Sequence, residues 1–195
     1  MLARELGDPE LIVNGEINLA INDLTLGEHG RAADVLGRLR EEAETREDPW
    51  MRWRYALHIA NGLGRVALAQ RDPERALAHA DHEFAGALRH RAPKLEARAL
   101  GLRGAALLLE DRREEAEAAL SQAVAVADRI AYPCASWSAL LLLAELERRR
   151  GHDDSAAAYL ARAQSLRDVV AASLPEAALR KSLWRARALS PVIGH

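Results

Sequence analysis

Apolar residues recur along this chain at helical spacing. From Ala32 the pattern runs Ala32, Leu36, Leu39, Ala43, and from Ala116 it runs Ala116, Leu120, Ala123, Ala127. Steps of four, three and four residues place these side chains on one face of an α-helix. From Ala76 the stripe reads Ala76, Ala80, Glu83, Ala87, and from Ala156 it reads Ala156, Leu160, Ala163, Arg167. Glu83 and Arg167 each interrupt the apolar face without breaking its period. A second helix in each unit is apolar too, as in Trp53, Leu57, Ala60, Gly64, Ala67.

The pattern repeats. Pro9, Pro49, Pro93, Pro133 and Pro175 are 40, 44, 40 and 42 residues apart by subtraction. Proline is tolerated in the first turn of a helix, where its missing N–H has no partner to lose. Asp8 and Asp48 precede two of these prolines as candidate N-caps. Midway through each unit a polar turn ends at a marker alanine, Ala32, Ala76, Ala116 or Ala156, spaced 44, 40 and 40. Twelve residues before each marker stands a small residue, Ala20, Gly64, Gly104 or Ala144, which lets two antiparallel helices approach closely. The expectation is all-α: four helix hairpins over about 9–46, 49–90, 93–131 and 133–172, within a repeat region 1–172. A capping helix and tail follow over 173–195, with Leu179, Leu183 and Trp184 over the open end. One hairpin cannot bury its own apolar face, so stacked neighbours must supply the core.

Composition agrees with this picture. The 195 residues are 49% hydrophobic but only 4% aromatic, rich in Ala and Leu and poor in β-branched residues. A net charge of -2 gives no bulk attraction to nucleic acid, and basic runs such as Arg148-Arg149-Arg150 read as helix C-termini. With one cysteine, Cys134, no intrachain disulfide is available. No apolar run approaches the roughly 20 residues of a membrane span, and the expected location is cytoplasmic.

Leu63-Gly64, Ala76 and Ala80, with Gly104, Ala116, Leu120 and Ala123, resemble tetratricopeptide repeats over about Leu11 to Arg167. The units exceed the usual 34 residues of that repeat, and Asp23 and Glu147 stand where the family commonly has Tyr. In length, and in the run Trp50-Met51-Arg52-Trp53-Arg54-Tyr55, the chain is similar to C-terminal helical arrays of large bacterial signalling ATPases, cyclases and transcriptional activators. The resemblance implies a right-handed α-solenoid that binds a protein or peptide partner and carries no catalysis of its own. It also implies a concave groove lined by first helices, expected to present Asn14, Asn18, His58, Asn61, Arg65, Arg98 and Glu145. The Lys/Asn carboxylate clamp of chaperone-binding members is not matched. With no capping repeat evident at the start, the chain is expected to be a C-terminal piece that self-associates through its N-terminal face.

Other readings compete. His79, His82 and Glu83 are spaced to share a face and suggest a zinc hydrolase, but no fourth ligand or HExxH base accompanies them. They read as surface residues, and no metal or cofactor is expected. Cys134 follows Pro133 at a predicted helix start, where the macrodipole would favour a thiolate; no partner base is placed beside it. Trp50 and Trp53 offer either an aromatic wall for a small-ligand sensor or core packing, and packing is the simpler reading. Gly101 and Gly104, one turn apart, read as helix-packing positions.

Overall fold

A computed structural model describes residues 9–45, 47–177 and 180 of the 195. It contains eight helices and no strand among the described residues: α1 Pro9–Leu26, α2 His29–Glu44, α3 Pro49–Ala69, α4 Pro73–Arg89, α5 Pro93–Leu109, α6 Arg113–Arg129, α7 Pro133–Arg150 and α8 Asp153–Ser173. Helices begin at Pro9, Pro49, Pro93 and Pro133, and another at Pro73. Asp48 caps α3, its carboxylate accepting from Trp50 N at 2.8 Å, and Asp72 caps α4 through Arg75 N at 3.0 Å. Asp8, Leu179, Leu183 and Trp184 lie outside the described residues.

Consecutive helices pack against each other along the whole chain. The first helices α1, α3, α5 and α7 also pack in succession, whereas among the described residues the backbones of α2, α4, α6 and α8 pack only on first helices, with an Arg162–Asp128 ion pair joining α8 to α6. The result is two layers, with the second helices seated over the junctions of the first. Small residues set the closest approaches. A methyl built on Gly104 would lie 2.5 Å from Leu120 Cγ, and one on Gly64 would lie 2.5 Å from Leu102 Cδ2.

Six of the seven connections share one turn. Gly27, Arg71, Arg91, Asp111, Ala131 and Gly151 all take positive φ, between 51° and 89°. After each, the next N–H closes on a carbonyl five residues back, as in Asp72 N to Ala67 O at 2.9 Å and Tyr132 N to Ala127 O at 2.8 Å. This is the Schellman arrangement, and its last residue is already the N-cap of the following helix. From Arg71 to Gly151 the left-handed residue recurs every 20 positions. Four of the six are not glycine, so the turn's usual sequence marker is missing.

The core is divided. One cluster joins α1 and α2 to Tyr55, Ile59 and Val66 of α3. A larger one runs from Ala67 and Leu68 through α8, and a small one gathers Leu57, Ala87 and Leu95 beside Trp53. No helix among the described residues is long and apolar enough to cross a membrane.

Candidate functional site

A cleft of about 370 Å³ crosses all four first helices. Asn18, Ile21 and Thr25 of α1 form one end, Asn61 and Arg65 of α3 and Arg98, Gly101 and Leu102 of α5 the middle, and Tyr132, Cys134, Trp137 and Ser138 the other end. Register explains the side chains. Counting back eighteen residues from each marker alanine gives Asn14, His58, Arg98 and Ser138, one polar position on successive helices. His58 and Arg98 touch along this row, Nδ1 to Nη1 at 3.0 Å. Counting back fifteen gives Ile17, Asn61, Gly101 and Leu141. At Gly101 a Cβ would meet nothing within 4 Å, so this glycine opens the cleft, whereas Gly104 packs.

Beneath the cleft lies a buried polar network. Glu83 extends from α4 with none of its surface exposed. Its Oε2 accepts from Asn61 Nδ2 at 2.6 Å, and its Oε1 is 3.8 Å from Arg98 Nη2 with no hydrogen-bond partner. Burial outweighs both neighbours and pushes the Glu83 carboxyl up to about 7. Burial, reinforced by the Arg98 and Arg54 charges, brings His58 down to about 4. Arg65 reaches only Thr25 Oγ1, at 3.5 Å, and desolvation together with Arg98 lowers its guanidinium to about 10. Among the described residues no carboxylate lines the cleft.

Asn18, Asn61, Arg65 and Arg98 thus lie together, and His58 and Asn14 continue the polar row beside them. Glu145 does not join them. It shares the register of Arg65 but is buried and held by Arg148 at 2.8 Å and Arg149 at 2.7 Å. The surface reading of Glu83 is corrected as well: it occupies the apolar stripe facing inward, where Asn61 donates to one carboxylate oxygen and Arg98 biases the other from 3.8 Å. His79 and His82 instead line a separate groove with Trp53. The three therefore do not converge, and no group of three or more potential ligands among the described residues could hold a metal.

Cys134 is exposed at the cleft margin, and desolvation by its neighbours raises its thiol above the usual range despite its place in the first turn of α7. Trp53 is half-buried and packs against the Leu57, Ala87 and Leu95 cluster of α3, α4 and α5. It stacks on the His90 ring at 4.0 Å with an interplanar angle of 5°, while Trp50 meets it edge-on and carries Arg54 over its own ring at 4.8 Å. Sequence reasoning missed the Glu83 network and the opening at Gly101; the charge inside an apolar stripe was the signal available for the first.

Compared with protein-family models, curated proteins and solved structures, the chain matches none.

Proposed function

We propose that the chain is a protein-interaction module: a right-handed solenoid of tetratricopeptide-like hairpins serving a cytoplasmic bacterial signal-transduction protein. Its occupant is an extended segment of a protein partner, laid along the first helices. The observation that carries this reading is the cleft itself, which crosses α1, α3, α5 and α7 and so offers one subsite per hairpin. Apolar walls at Ile21, Leu102 and Trp137 alternate with hydrogen-bonding groups at Asn18, Asn61 and Ser138, which suits a chain whose side chains alternate between apolar and polar surroundings. Arg65 and Arg98 favour segments carrying at least one acidic residue. Stacked hairpins with a common register build such extended surfaces without any catalytic group.

Gly101→Leu tests the proposal, because it fills the opening while replacing a mid-helix glycine by a stronger helix former. Random peptides displayed on phage are selected on the native chain and rescreened on the folded variant. Enrichment of peptides that bind the native chain and fail on Gly101→Leu is expected. Selected peptides that bind both proteins equally would overturn the assignment of the cleft.

A further inference from the structure

A second recess lies on the other side of α3, where α2 and α4 stand apart. It encloses about 710 Å³, within the range of small-molecule sites. Its floor is apolar, formed by Ala56, Ile59, Ala60 and Leu63 of α3, with Trp53 as one wall. Trp53 is held flat against His90, so that wall is fixed in orientation.

The recess exists because two residues depart from the pattern at later junctions. Eight residues after their marker alanines, α4 has Phe84 and α6 has Val124, both packed into the core; α2 has Arg40. Three residues after the marker, α6 has the buried Ala119 where α4 has His79. Between α4 and α6 apolar side chains fill the space. Between α2 and α4 a guanidinium and an imidazole take those places and leave the floor half-exposed at Ala56 and Leu63, above the buried Ile59 and Ala60. Arg52 and His82 continue the same rim, against Glu44 as its single carboxylate among the described residues. His79 is pushed below its usual range by burial and by the surrounding Arg75, Arg40 and His82, which marks the rim as electropositive.

We infer that this recess binds a small amphipathic anion, its apolar body on the α3 floor against Trp53 and its acidic group between Arg40 and Arg52. Size excludes the obvious macromolecular occupant: a helix about 10 Å across would fill the volume within roughly 9 Å of its length, under two turns. The inference does not depend on the cleft, which lies on the other face of α3.

The test uses 8-anilinonaphthalene-1-sulfonate as reporter, with decanoate and decanol as competitors. The native chain is expected to bind one dye with enhanced emission and with energy transfer from tryptophan. Decanoate should displace it roughly tenfold better than decanol, the worth of one charge-assisted contact. Arg40→Phe, which installs the side chain of the next junction, should abolish binding, and Gly101→Leu should leave it unchanged. The paired variant Arg40→Gln/Arg52→Gln, which leaves the floor intact, should weaken decanoate and spare decanol. Dye binding that survives in folded Arg40→Phe, that disappears in Gly101→Leu, or that decanol displaces as well as decanoate does would overturn the inference. So would the absence of binding.

Discussion

Asn61 donates its side-chain amide to Glu83 across 2.6 Å, linking α3 to a carboxylate that lies wholly within an apolar stripe. The contact satisfies one oxygen only. Arg98, 3.8 Å from the other, is close enough to bias the charge but not to replace the lost water.

This arrangement fixes a pH signature. A carboxyl raised in the folded chain to about 7 stabilises fully below its unfolded value near 4.5, and that stabilisation is lost as pH climbs to 7. Glu83→Gln should therefore gain on the native chain between pH 4.5 and 7, by about 3 kcal/mol, and hold the gain above. His58 has the opposite sign: depressed to about 4, it costs stability as pH falls from 6.5 toward 4. His58→Gln should gain on the native chain over that acid range. Denaturant midpoints measured at steps from pH 4 to 8 check both slopes; parallel profiles would refute the buried network.

Two glycines one turn apart should respond oppositely to alanine. Gly104→Ala forces a methyl onto Leu120 and should cost about 1–3 kcal/mol. Gly101→Ala projects into the open cleft and should stabilise by about 0.5–1 kcal/mol through helix propensity. Thermal unfolding of the pair decides it, and loss of stability in both would contradict the described opening.

The shared turn predicts another pair. Ala131 has φ 51° on an exposed turn, so Ala131→Gly should stabilise by about 1 kcal/mol. Gly151→Ala, at φ 78°, should lose a similar amount. Equal midpoints for the native chain and both variants would mean that the left-handed residue is not strained.

The divided core implies uneven opening. Leu36, fully buried in the cluster of α1 and α2, should cost about 2–5 kcal/mol when cut to alanine. Amide exchange should then quicken over α1 and α2 and stay slow over α5 to α7, whereas Leu140→Ala should loosen the larger cluster. Uniform quickening in both variants would show a single cooperative core.

Much of this architecture was legible in the chain. Pro49, Pro93 and Pro133 mark helix starts because proline tolerates few other helical places, and the marker alanines give the packing face because only small residues fit there. The turns were less legible, since Arg71, Arg91, Asp111 and Ala131 occupy left-handed positions that sequence reading reserves for glycine. At the site, the polar row from His58 to Arg98 was expected from helical period together with the resemblance to tetratricopeptide repeats, which puts the first helices on the inner face. Glu145 failed because its own helix supplies two arginines within one turn, a local contact that outcompetes an outward pose. Glu83 could be located but not oriented, for its burial depends on Asn61, 22 residues earlier and on another helix.

The corner that recurs between helices, a left-handed residue followed by the next N-cap, carries a consequence for how such a molecule can change. Because each corner ends by starting the next rod, a segment of forty residues can be excised or duplicated at matching corners with both cut ends already facing the right way. Growth by whole cassettes would add length, and with it more of whatever surface the rods display, while leaving every existing joint as it was.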